Sequence, residues 1–334
     1  MTTSAVLQMA PAPTGAGVFC TPTVREGRHF LGLEGMNRDQ LSALLDDAVR
    51  ERDGLRSGTP ARGDLAGCSV VLAFIEDSTR TRVSFELAAK RLGADVIPFG
   101  VTGSSLSKGE TLLDTMTVFD AMGVNLVVIR CPYSGAPAAL ARALPHVGVL
   151  NAGDGMHEHP TQGLLDLLTL RDAWAGRFEG RRFAIVGDVA HSRVARSAIH
   201  GLVTLGAHVT VCGPATLLPA EVEHLGCTVA PTVEDALAGA DGVMALRLQK
   251  ERMEGGLLPS LGEYAREWGL DAPRVALLKP AGVVLHPGPV NRGVELDPSV
   301  ADGERAVILS QVENGVAARC AVLRRCWAAW REAA

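Results

Sequence analysis

The chain has 334 residues, 47% of them hydrophobic and 21% charged, which suits two domains of ordinary size, each with its own core. Its formal net charge is −5, so there is no basic surplus to neutralise a phosphate backbone, which argues against nucleic acid as a partner. No apolar run reaches the ~18 residues of a membrane span. The N-terminus lacks the charged and apolar regions of a signal peptide, and the seven cysteines contain no C-x-x-C. Together these features predict a cytoplasmic protein with free thiols.

Residues 1–25 carry Pro11, Pro13, Gly15 and Gly17 without apolar periodicity and are expected to form a flexible tail. A helix is predicted from Met36, capped at Asn37, with Leu41, Leu44, Leu45 and Val49 on one face. Strands are then predicted at 69–75, 95–99, 125–130 and 148–151, and helices at 80–92, 109–122, 136–144 and 160–174. After Gly180 a second series begins: a strand at Phe183–Asp188, a helix at Arg193–Leu205, and strands at Val209–Cys212, Gly242–Leu246 and Val283–Leu285. A last helix runs from Gln311 to Trp330, with Val312, Val316, Ala317, Cys320 and Leu323 as its apolar side. The alternation predicts an α/β fold of two domains, each a parallel sheet flanked by helices, with a linker near Asn151–Pro160.

The most informative motif is Ser78-Thr79-Arg80-Thr81-Arg82, at the junction of a strand and a helix. A helix N-terminus offers unpaired N–H groups and the positive end of the macrodipole, so hydroxyls and guanidiniums there make an anion cradle. An ordinary helix cap needs only one such hydroxyl. Lys108 sits in a loop of glycines and hydroxyl residues that also contains Ser105, and that loop could close over an anion. Lysine is scarce, four residues against 28 arginines, so a retained lysine is a weak pointer to a needed ammonium.

Arg130 ends an apolar strand, where open parallel sheets bind ligands; the plainer alternative is an ion pair at the sheet edge. His159-Pro160-Thr161-Gln162 opens a helix, and His159 is suited to donate to a polarised carbonyl. His157 and His159 alone, without carboxylate or thiolate company, are poor evidence for a metal. Arg193 opens another helix, and Arg247-Leu248-Gln249-Lys250 follows a strand; paired guanidiniums match a dicarboxylate, although each alone could be a surface ion pair. His286-Pro287-Gly288-Pro289 also follows a strand, and its prolines leave carbonyls free to accept from an amino group. The segment Gly187-Asp188-Val189-Ala190-His191-Ser192 lacks the glycines of a dinucleotide fingerprint, so no nicotinamide cofactor is expected.

These motifs, in this order and with Ser105-x-x-Lys108-Gly109-Glu110-Thr111 among them, resemble the catalytic chains of the aspartate carbamoyltransferase family over roughly residues 28–330. The resemblance implies carbamoyl transfer from carbamoyl phosphate to L-aspartate in pyrimidine biosynthesis, without cofactor or metal. It implies that Ser78, Thr79, Arg80 and Thr81 hold the phosphate, and that Thr81, Arg130 and His159 polarise the carbonyl. Gln162 and the carbonyls of Pro287 and Gly288 would hold amino groups. Arg193 would take the α-carboxylate of aspartate, and Arg247 with Gln249 the β-carboxylate. Ser105 and Lys108 would reach into a neighbouring subunit's site, Lys108 meeting aspartate there, which implies a homotrimer.

The implied domains are a carbamoyl-phosphate-binding domain at 26–158, joined by a returning C-terminal helix at 311–334, and an aspartate-binding domain at 159–310. Members of the family also occur with regulatory chains or with dihydroorotase, so either is a candidate partner. Three positions depart from the common pattern: Cys131 for histidine, Ser107 for a second lysine, and Gly288 for leucine. The nearest rival is the ornithine enzyme, but Arg247 would repel a cationic acceptor. A non-enzymatic subunit is disfavoured because Lys108, Arg130 and His159 are all present.

Overall fold

The computed structural model describes residues 27–58, 63–101, 104–248 and 260–333, so the expected tail at 1–25 lies outside the described residues. The chain forms two compact units. One comprises Gly58–Gly155, Arg319–Ala334 and the segment ending at Leu31; the other comprises Gly32–Ser57 and Met156–Ala318.

The first unit holds strands β1 (Ser69–Phe74), β2 (Asp95–Gly100), β3 (Leu126–Cys131) and β4 (Gly148–Asp154), all parallel in the order β2-β1-β3-β4. The central strands are apolar without alternation: Val70, Val71, Leu72 and Ala73 are all fully buried, as in a sheet covered on both faces. Helices α2 (Thr79–Arg91), α3 (Leu112–Ala121) and α4 (Ala136–Ala143) supply the cover. Met116 and Leu140 pack with Val71, Val127, Ile129 and Val149. The edge strand β2 is largely exposed and carries Pro98, which blunts an unpaired edge.

The chain's last segment completes this unit. The Arg319 guanidinium lies 5.1 Å from the Phe85 ring centre, the Cys320 thiol faces the Ala88 carbonyl at 3.9 Å, and Arg324 pairs with Asp64 at 2.8 Å.

The second unit begins with α1 (Arg38–Arg56). The Asn37 side chain accepts from Gln40 N–H while the Gln40 side chain accepts from Asn37 N–H, a reciprocal cap. Its sheet is β5 (Arg182–Val186), β6 (His208–Cys212), β7 (Thr228–Val229), β8 (Gly242–Ala245) and β9 (Val283–Leu285), parallel in the order β7-β6-β5-β8-β9. Around it lie α5 (Pro160–Ala173), α6 (Arg193–Thr204), α7 (Val233–Leu237), α8 (Leu261–Trp268), α9 (Ala272–Val275) and α10 (Pro298–Ala301). The long α11 (Ile308–Ala333) starts here and ends in the first unit. Among the described residues no helix is long and apolar enough to cross a membrane.

The α/β reading of two parallel sheets holds. Three details differ from expectation. The helix predicted from 109 starts at Leu112, capped by Thr111; Ser105–Lys108 before it form a tight 3-10 turn closed by Gly109 at φ +94°. Strand β4 runs on to Asp154, into the expected linker, because Asn151 is buried and donates to both Leu31 O (2.9 Å) and Asp154 Oδ1 (2.8 Å). On α11, Val312 faces outward at 53% exposure, while the inward side near its start is polar, with Gln311 and Asn314 buried. Their amides meet Asp166 and Thr169 of α5, so satisfying buried polar groups overrode the apolar stripe there.

Candidate active site

In the first unit, β1 leads directly into the hydroxyl-rich motif. Ser78 is the N-cap of α2, with extended backbone (φ −162°, ψ 104°), yet its hydroxyl makes no capping hydrogen bond, and no acidic residue occupies the first turn. The plain cap reading therefore fails for Ser78. Thr79 and Arg80 are exposed, and Thr81 is buried.

Arg130 lies beside this loop because β1 and β3 are neighbours: its carbonyl accepts from Ile75 N (2.8 Å) and Glu76 N (3.3 Å). Its guanidinium pairs with Glu76 at 2.9 Å and donates to Ala152 O at 3.3 Å. The ion pair weighed as the plain alternative is thus present, and it also fixes the guanidinium at the carboxyl end of the sheet. Glu76 was not singled out from sequence, although it directly precedes Asp77-Ser78. Ser105 is half-buried and Lys108 exposed in the turn after β2, at the same end of the sheet. Cys131 is buried, its thiol facing Tyr133 O at 3.5 Å.

In the second unit, His159 is the N-cap of α5 and is 4% exposed. Its N–H donates to Ser197 Oγ on α6 at 2.9 Å, and Ser197 Oγ donates to Glu158 Oε2 at 2.7 Å. Glu158 is fully buried: Oε1 also accepts from Leu33 N (3.1 Å) and Glu34 N (3.0 Å), and Oε2 from Leu33 N (2.9 Å). A Cβ on Gly32 would stand 2.3 Å from Glu158 Oε1, so any side chain there would displace the carboxylate. Glu158, Glu34 and His200 also bring ligand-type atoms within 4.8 Å of one another. Both Glu158 oxygens already accept from the chain, and the carboxylate organises the backbone at Leu33 and Glu34.

Arg193 is the first residue of α6, buried behind β5, whereas Arg247 is half-buried after β8. Because β5 and β8 are adjacent and parallel, both residues follow the same carboxyl end of the sheet. After β5, Asp188 Oδ1 accepts from His191 N at 3.1 Å and meets His191 Nδ1 at 2.8 Å, shaping the loop that precedes Arg193. Gly187, at φ +125°, closes over Tyr264, where an added Cβ would be 2.7 Å from the phenol oxygen. Burial, with Glu295 and Asp188 nearby, holds the Tyr264 hydroxyl well above the usual phenol range. The expected Gln249, like Lys250, lies outside the described residues.

Pro287 and Gly288 follow β9, next to β8. Gly288 adopts φ +62°, the left-handed region that disfavours a leucine, and its peptide to Pro289 is cis. Its N–H donates to His286 Nδ1 at 2.7 Å. Gln162 Nε2 donates to Asp166 Oδ1 at 2.9 Å. Among the described residues, then, Ser78–Thr81 and the Ser105–Lys108 turn follow strands of the first sheet and Arg130 lies at the end of one, while Arg193, Arg247, Pro287 and Gly288 follow strands of the second.

Two family models match almost the whole described chain: "Aspartate/ornithine carbamoyltransferase, carbamoyl-P binding domain" over residues 28–172, and the "Asp/Orn binding domain" of the same family over 179–326. The aspartate carbamoyltransferase catalytic subunit of Sorangium cellulosum is 55% identical over 296 residues, 89% of this chain and 92% of that one. Among solved structures, aspartate transcarbamoylase from Trypanosoma cruzi in complex with carbamoyl aspartate and phosphate superposes with a TM-score of 0.80 at 30% identity, covering 90% of this chain and 96% of that one. Ornithine carbamoyltransferase from Thermus thermophilus gives 0.78 at 26% identity, covering 90% and 98%. The chain belongs to the aspartate/ornithine carbamoyltransferase family.

Proposed function

We propose that this chain transfers the carbamoyl group of carbamoyl phosphate to the α-amino group of L-aspartate, releasing N-carbamoyl-L-aspartate and phosphate, a step of pyrimidine synthesis. The carrying observation is the pair of arginines that follow adjacent strands, Arg193 at the start of α6 after β5 and Arg247 after β8. Two fixed positive charges favour a dicarboxylate and disfavour the cationic side chain of ornithine. The 55% identity to an aspartate carbamoyltransferase catalytic subunit and the likeness to an aspartate transcarbamoylase holding its products support the same acceptor.

In this reading Ser78, Thr79, Arg80 and Thr81 bind the phosphate at the α2 N-terminus. The neutral amine of aspartate attacks the carbamoyl carbon. The oxyanion that develops accepts from Thr81, Arg130 and His159. The tetrahedral intermediate collapses, the C–O bond to phosphate breaks, and the departing phosphate carries off the amine proton. Catalysis is chiefly the orientation of two anions that otherwise repel, and it calls for no protein nucleophile. Gln162, Pro287 and Gly288 hold amino groups, and Gln249 assists Arg247. In this reading residues 26–158 with 311–334 form the carbamoyl-phosphate domain and 159–310 the aspartate domain, a division by ligand that differs from the compact units, in which Gly32–Ser57 and the start of α11 up to Ala318 fall with the second.

The working unit is a cytoplasmic homotrimer in which Ser105 and Lys108 serve a neighbour's site. Support comes from exposed apolar residues, Val83 and Leu87 one turn apart on α2 and Leu113 and Val118 on α3. The test compares aspartate and ornithine as acceptors under the same conditions. Product from aspartate alone is expected; product from ornithine would overturn the second-unit assignment.

A further inference from the structure

One buried side chain ties together the two elements that, in the reading above, hold the carbamoyl amino group. Gln311, in the first turn of α11, is 2% exposed, and so are Asp166 and His286. Gln311 Nε2 donates to Asp166 Oδ1 at 2.7 Å, and the same oxygen accepts from Gln162 Nε2 at 2.9 Å. At its other end, Gln311 Oε1 accepts from His286 N at 3.0 Å. The His286 ring spans the turn: Nδ1 accepts from Gly288 N at 2.7 Å, so Nε2 carries the proton and donates to Glu295 Oε1 at 3.0 Å.

These bonds set the direction of two acceptors. Because Gln162 commits its NH2 to Asp166, its amide oxygen turns the opposite way. In the peptide joining Pro287 to Gly288, N–H and C=O are antiparallel. With the Gly288 N–H drawn to His286, the Pro287 carbonyl points away from it. Two outward acceptors form a pattern that suits an amino group with two protons and rejects a methyl group of similar size.

We propose that Gln311 is a positioning residue that fixes Gln162 and the Pro287 carbonyl as a paired reader of the substrate's amino group. The proposal rests on the carbamoyl-transfer reading and deepens it: α11 carries no substrate-binding motif, yet its first turn sets selectivity for a carbamoyl over an acetyl donor. A glutamine does this because it offers a donor to Asp166 and an acceptor to the His286 N–H at a fixed separation.

The test uses the full chain, with acetyl phosphate as the probe that carries methyl in place of the amino group. The KM for carbamoyl phosphate and the inhibition constant for acetyl phosphate are measured for wild type, Gln311→Met and Gln311→Asn. The shorter asparagine cannot bridge both partners and serves if the methionine variant fails to fold. The KM is expected to rise about tenfold, the worth of one well-made hydrogen bond, with acetyl phosphate inhibition moving less than about twofold. Parallel losses for both ligands would mean general loosening and would overturn the proposal, as would no change in either. A wild-type chain without carbamoyl transfer to aspartate would instead overturn the functional reading.

Discussion

Replacing Glu158 tests how the loop ahead of α5 is held. Its carboxylate accepts from Leu33 N, Glu34 N and Ser197 Oγ, and Ser197 in turn accepts from His159 N. In Glu158→Ala, Leu33 N and Ser197 Oγ are stranded in fully buried surroundings, while the Glu34 N–H sits at the surface and regains water. Two stranded donors at ~1–3 kcal/mol each, less the relief of removing a buried charge, give a loss of about 3 kcal/mol. For a unit of this size that corresponds to a fall in melting temperature of roughly 6–12 °C. Glu158→Gln keeps the shape and one acceptor oxygen. It loses the charge assistance, for about 1 kcal/mol and a fall of roughly 2–4 °C. The assay is thermal denaturation followed by circular dichroism, with carbamoyl transfer measured on the same samples. A Glu158→Ala chain melting within about 2 °C of wild type would refute the view that this carboxylate holds Leu33, Glu34 and Ser197 in place.

Three further outcomes are expected. His159→Ala lowers turnover by about 3 kcal/mol of barrier while weakening inhibition by phosphate far less; equal losses would remove His159 from the oxyanion role. Arg247→Ala raises the aspartate concentration needed for half-maximal rate with little change for carbamoyl phosphate, and an unchanged aspartate dependence would count against the dicarboxylate clamp. His29 accepts from Val149 N at 3.1 Å, and burial, aided by Arg28, lowers its pKa from 6.5 to about 4. The unfolded chain therefore binds this proton below pH 6.5 while the native chain does not until about pH 4, so the contribution is present above 6.5 and lost as the pH falls through that window. His29→Asn, which keeps an acceptor, should lose less stability between pH 7 and pH 4.5 in urea titrations; an identical loss would show that His29 stays exposed to protons.

Much of the fold was legible because its strands are short apolar runs such as Val70–Ala73, set between helices with plain caps such as Asn37 and Ser192. The placement of Arg130, Arg193 and Arg247 at or beyond the carboxyl ends of their strands followed from the strand ends alone. Residues whose work is to hold others were not legible. Glu76, Glu158, Asp166 and Gln311 act on partners as far as 145 positions away, as in the Gln311–Asp166 bond, and no local spacing encodes such a pairing. The outward Val312 was misread for the same reason: an apolar count cannot anticipate that α5 presents polar groups needing amides. The two-residue β7 and the single-turn helices α7 and α10 are too short to carry a period, and they lack the apolar run that marks strands such as β9.

Neither compact unit is a single stretch of chain, and this bears on biosynthesis. The first unit is finished only by residues from Arg319 onward, which cover Phe85 and Ala88. A chain emerging from the ribosome thus carries an incomplete first unit while the whole second unit is being made, and its gap closes only once the residues from Arg319 onward have emerged. The order in which the units mature is the reverse of the order in which most of their residues are translated. A premature stop before residue 319 would leave the earlier-made unit, not the later one, as the aggregation-prone species.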